Sequence, residues 1–210
     1  MKRIVNGLAA ALAALCLLVG QASAAPARVL MLGDSLTAGF GLPIAESLPS
    51  QLEAVLKGQG LDVVILNGGV SGDTTAGGLA RLDWALADNP AYALLALGAN
   101  DALRGLSPDK AYENLDVIIT RLKAKKVKVM ILGMLAPLNL GRDYRESFDA
   151  IFPKLAAKHN VPLYPFLLDG VALEPKLNQR DGIHPNADGV KIIVGRLAPL
   201  VRQFLETPPG

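Results

Sequence analysis

His184 stands three residues after Asp181 in the run Asp181-Gly182-Ile183-His184-Pro185, a stretch rich in turn formers. That spacing can set a carboxylate and an imidazole side by side on one turn. A carboxylate that accepts from one ring nitrogen fixes the tautomer and leaves the other nitrogen free to take a proton from a hydroxyl. Ser35 is the hydroxyl of choice, because in Gly33-Asp34-Ser35-Leu36-Thr37 it directly follows a short apolar run. Attack by a hydroxyl creates an oxyanion, which needs donors aimed at the developing charge. The expected donors are the N–H of Gly72, where no Cβ blocks approach, the side-chain amide of Asn100 and the N–H of Ser35 itself. Ser35, Asp181 and His184 as catalytic residues, with Ser35, Gly72 and Asn100 as oxyanion hole, would perform acyl transfer through a covalent serine intermediate.

Residues so far apart need a frame that brings them together. Five apolar runs of strand length recur: Arg28 to Leu32, Asp62 to Leu66, Tyr92 to Leu97, Val127 to Leu132 and Val161 to Phe166. Most are apolar on both alternating faces, as strands buried on both sides of a parallel sheet are. Helical spacing of apolar residues marks Glu46 to Gln59, Thr74 to Ala87, Pro108 to Lys125, Arg145 to Lys158 and about Asn186 to Phe204. Ser107-Pro108 supplies a cap followed by proline at the first helical position. Strands alternating with helices predict a single α/β domain with three layers over residues 25–210. In open sheets of this kind, working groups gather beyond the C-terminal ends of the strands. The segments that follow the first three runs contain Ser35, Gly72 and Asn100, and the Asp181–His184 turn precedes the last helix.

Four blocks in this order, Gly33-Asp34-Ser35-Leu36, then Gly72, then Gly98-Ala99-Asn100-Asp101, then Asp181-Gly182-Ile183-His184-Pro185, resemble those of the SGNH (GDSL) hydrolases. Ile65 to Arg81, Leu103-Arg104-Gly105 and Asp181 to Asn186 are similar to the bacterial periplasmic thioesterase I, arylesterase or lysophospholipase L1 branch of that family. The resemblance implies a flavodoxin-like α/β/α sandwich with a five-stranded parallel sheet, Ser35 as nucleophile, and Asp181 and His184 completing the triad. It implies a secreted serine esterase acting on small-molecule aryl or acyl esters, acyl thioesters and lysophospholipids, without a cofactor. A carbohydrate or peptidoglycan O-deacetylase with the same triad is the alternative, and a binding module that has lost the chemistry is the third reading. Ala99 stands where the third block often has a second glycine. Leu135-Ala136-Pro137-Leu138-Asn139 departs from the Arg-Leu-Pro form of a loop that lines the acyl crevice in relatives.

Lys2 and Arg3, the uncharged stretch Leu8 to Gly20 and the small residues before Ala25 read as a signal peptide over residues 1–24. Leu15 precedes Cys16 where a lipoprotein signal would have a small residue. Cleavage would leave 19 basic against 19 acidic residues, and no cysteine. A balanced chain has no global attraction to nucleic acid, and without cysteine there is neither disulfide nor thiolate site. With only His159 and His184, no metal-ligand cluster is expected. No later run is long enough for a membrane span. The glycines from Gly68 to Gly78 lack the Lys-Ser or Lys-Thr of a phosphate loop. Ser71 reads as a structural turn residue, Asp34 as a brace for its loop, His159 as a surface cap at a helix C-terminus, and Lys123 to Lys128 as a solvated edge. Arg104 reads either as a solvated charge or as a neighbour of the site mouth.

Overall fold

The computed structural model describes residues 25–207; the signal peptide expected over residues 1–24 lies outside them. Strand β1 (Ala27–Gly33) leads through α1 (Ser35–Ala38) and α2 (Leu48–Gly58) to β2 (Val63–Gly69). Helices α3 (Thr75–Ala80) and α4 (Leu82–Ala85) cross to β3 (Tyr92–Ala96), and α5 (Ala99–Leu103) and α6 (Pro108–Ala124) to β4 (Lys128–Leu132). Then α7 (Arg142–Asp149) and α8 (Ile151–His159) precede β5 (Leu163–Tyr164), and α9 (Ala187–Glu206) closes the domain. The sheet is wholly parallel, in the order β2-β1-β3-β4-β5. Val29 to Leu32 and Ala93 to Ala96 are buried, which is why the central strands read as unbroken apolar runs. Right-handed crossovers place α2 and α9 against one face and α3, α6 and α8 against the other, and α2 packs on α9 while α6 packs on α3 and α8. This is the α/β sandwich that the sequence predicts. Among the described residues, no helix is long and apolar enough to cross a membrane.

Three elements differ from expectation for identifiable reasons. The helix expected over Thr74 to Ala87 breaks at Arg81, whose backbone leaves the helical region (φ −102°, ψ 10°). The helix expected over Arg145 to Lys158 is two helices, from Arg142 and from Ile151. Pro153, which cannot donate, thereby sits in the first turn of α8, where its missing N–H is not needed. β5 is only two residues, because Pro162 and Pro165 flank it on the sheet edge.

Candidate active site

Gly33 pairs with Gly69 on one side and Ala96 on the other, so β1, β2 and β3 end at one level and their loops leave the sheet together. The connections reverse direction between β1 and β3, the switch point where doubly wound sheets open a crevice. Ser35 begins α1 immediately after β1, with Asp34 as its N-cap. Asn100 lies in the first turn of α5 after β3, and Gly72 lies in the turn after β2.

The Ser35 hydroxyl and His184 Nε2 are 2.9 Å apart, across 149 residues of sequence, and His184 Nδ1 is 2.7 Å from Asp181 Oδ2. The other carboxylate oxygen of Asp181 accepts the backbone N–H groups of Ile183 and His184, at 3.0 and 3.1 Å. The His184 hydrogen bond, aided by those N–H groups and opposed by partial desolvation, holds the Asp181 carboxyl down to about 2. Asp181 is therefore an ionised acceptor, suited to holding Nδ1 protonated and Nε2 facing the hydroxyl.

The turn carrying this pair is pinned from two sides. Asn186 caps α9 by accepting from Asp188 and Gly189, and Asn178 bridges to Pro185. Gln179 Nε2 donates to Phe40 O at 2.7 Å and to Pro185 O at 3.0 Å, tying the turn to the loop after α1. The Phe40 ring lies 4.6 Å from the His184 ring. Ser35 and His184 open onto a narrow recess lined by Leu36, Phe40, Leu42, Leu48, Leu167 and Leu168.

On the other side of Ser35, Asn100 Nδ2 donates to Asp73 O at 2.9 Å and, more loosely, to Asp34 Oδ2 at 3.3 Å. Asp34 is fully buried and also accepts the Leu36 N–H at 3.0 Å. Burial pushes its carboxyl up to about 6, against the pull of that N–H, His184 and Asn100. Arg81 turns inward beneath the site. It donates to Gly33 O and Gly68 O, the carbonyls at the ends of β1 and β2, and pairs with Asp73. Asp101, next to Asn100, is buried and accepts from the Thr75 N–H and hydroxyl at the start of α3. Gly72 has φ 85°, and the exposed Arg104 donates to its carbonyl at 2.8 Å, so Arg104 sits at the mouth.

The structure thus joins Ser35, His184 and Asp181 directly and sets Asn100 beside Asp34 and Asp73, the neighbours of Ser35 and Gly72. Gln179, Phe40 and Arg81 carry no local signal, because each acts through a contact distant in sequence. Ser71 is an exposed turn residue. His159 ends α8 as expected, but its side chain is largely covered, with Nε2 2.6 Å from Asp116 Oδ1. A larger cavity of about 780 Å³ lies at the opposite end of the sheet, lined by Lys123, Lys126, Lys128, Val161, Leu200 and Phe204 among others. It is far from the hydroxyl–imidazole pair, which marks the chemistry better than volume does.

Residues 31–192 match the GDSL-like lipase/acylhydrolase family. An arylesterase of Vibrio mimicus is 42% identical over 171 residues, covering 81% of this chain and 86% of that one. Thioesterase 1/protease 1/lysophospholipase L1 of Escherichia coli K12 is 39% identical over 185 residues, covering 88% and 87%. The crystal structure of AlinE4, an SGNH-hydrolase family esterase, superposes with a TM-score of 0.74 at 44% identity, covering 88% of this chain and 99% of that one.

Proposed function

The chain belongs to the GDSL-like lipase/acylhydrolase family and is an esterase, and on that premise we propose that it is a serine hydrolase with a Ser35–His184–Asp181 triad. One observation carries the reading: the unbroken chain of hydrogen bonds from Asp181 through His184 to Ser35 at the sheet's switch point. His184 Nε2 takes the Ser35 proton as Oγ attacks the ester or thioester carbonyl. The N–H groups of Ser35 and Gly72 and the Asn100 amide receive the oxyanion. His184 then protonates the leaving alcohol or thiol, and water attacks the acyl-enzyme in a second cycle of the same kind. Asp181 stays ionised throughout and stabilises the imidazolium.

The substrates we assign are small aryl and acyl esters, acyl thioesters and lysophospholipids. The relatives named arylesterase and thioesterase 1/protease 1/lysophospholipase L1 support that range. Residues 1–24 direct export and are removed, so the enzyme acts outside the cytoplasm. N-terminal sequencing of the exported protein is expected to begin within a residue or two of Ala25.

Hydrolysis of a p-nitrophenyl ester series from acetate to palmitate, by wild type and Ser35→Ala side by side, tests the triad. Wild-type activity that vanishes in the variant, together with loss of fluorophosphonate labelling, is the expected result. Labelling and turnover that survive Ser35→Ala would overturn the assignment of the nucleophile. The optimum chain length separates an acyl-chain hydrolase from an acetyl esterase.

A further inference from the structure

The Asn100 side chain ends in a donor and an acceptor of nearly the same shape, and only the donor end can serve an oxyanion. Which end faces the substrate is decided by what surrounds the amide. Asp73 O is a carbonyl and Asp34 Oδ2 belongs to a carboxylate, and both accept from Asn100 Nδ2. An inverted amide would set its oxygen against two other oxygens. The Asp34 contact is the looser of the two, so the amide hydrogen on that side is the one that can be shared with an arriving oxyanion. Asp34 itself cannot swing away, since it is fully buried and its Oδ1 is held by the Leu36 N–H.

We propose that Asp34 is a positioning residue that locks the Asn100 amide with its NH₂ group facing the oxyanion. This rests on the triad and oxyanion reading above. The residue beside the nucleophile thereby does more than cap α1: it sets the polarity of a donor 66 residues away in sequence. It touches neither substrate nor reacting atoms.

Two substitutions separate the cap from the lock. In Asp34→Asn the new amide keeps its oxygen on the Leu36 N–H and turns its NH₂ toward Asn100, which favours the inverted amide. In Asp34→Ser the hydroxyl still caps the helix and the acceptor for Asn100 is gone. Turnover of one p-nitrophenyl ester is measured at about pH 8, where a carboxyl near 6 is ionised. Both variants are made alone and in an Asn100→Ala background, with Ser35→Ala as the blank and thermal midpoints to verify folding.

The expected loss in kcat is roughly 10- to 100-fold for Asp34→Asn, with KM unchanged, below the ~100- to 1,000-fold of deleting a donor outright. In the Asn100→Ala background neither substitution is expected to cost more than about twofold further, because the group it positions is already absent. Losses of equal size in both backgrounds, or a wild-type kcat in both folded variants, would overturn the proposal while leaving the triad intact. Activity that survives Ser35→Ala would overturn the triad and this proposal together. Should Asp34→Asn fail to fold, Asp34→Ser carries the test.

Discussion

At the scale of single residues, the proposed chemistry depends on donors whose position is fixed before substrate arrives. Asn100 is held by Asp73 O at 2.9 Å and leans on Asp34, so its amide needs no reorganisation as charge develops. Asn100→Ala is expected to lower kcat by about 100- to 1,000-fold while stability falls by about 1–3 kcal/mol, since two hydrogen bonds are lost and the buried Asp34 carboxylate loses a donor. Steady-state kinetics beside a urea melt separates the two quantities, and a fully active variant would remove Asn100 from the oxyanion hole. Residue type and spacing already suggest that Asp181 and His184 share a turn, because three residues of a turn-rich loop bring them within reach. They do not suggest that Asp34 reaches Asn100 or that Arg104 donates to Gly72 O, at 2.8 Å. Such contacts depend on how loops from different strands meet, which no local pattern encodes.

At the scale of elements, Ser35 is placed by how tightly α1 sits against the end of β2. A Cβ on Gly69 would lie 2.2 Å from Ala38 N and 2.7 Å from Ala38 Cα, backbone atoms that no rotamer change can relieve. Gly69→Ala should therefore push α1 away from the sheet, costing about 1–3 kcal/mol of overpacking. For a chain of this length that corresponds to a Tm lower by roughly 3–10 °C. Because α1 carries Ser35, kcat should fall along with Tm, and calorimetry paired with ester hydrolysis would reveal whether the two move together. The strands were legible because β1 and β3 are apolar on both faces. The break at Arg81 was not, since arginine is a good helix former. It turns inward to the carbonyls of Gly33, the last residue of β1, and Gly68, the last but one of β2. The length of β5 was half legible: Pro162 and Pro165 were visible, but not that they would fall on the sheet edge.

At the scale of the whole molecule, two carboxylates of the site titrate in opposite senses. Asp181 is held down to about 2, so its contribution is complete above the ordinary carboxylate range near 3.8 and is lost as pH falls toward 2. Asp34 is raised from 3.8 to about 6 by burial. Between those values the unfolded chain has already lost this proton while the folded chain keeps it, so stability declines as pH rises through the window and is level above it. The displacement corresponds to a penalty on the order of 3 kcal/mol at neutral pH, undiminished by solvent because the side chain is fully buried. A fold selected for stability alone would avoid that penalty. The domain carries it at the residue next to its proposed nucleophile, where an acceptor-only group can hold both the first turn of α1 and the Asn100 amide. Asp34→Asn has no carboxyl to titrate, so its stability relative to wild type should improve from about pH 4 to pH 6.5 by that order of magnitude, whatever constant difference the lost contacts add. Urea melts of both proteins at several pH values give the difference curve directly. A flat curve would mean that Asp34 ionises in the folded protein as it does in the unfolded chain, and that burial imposes no such penalty.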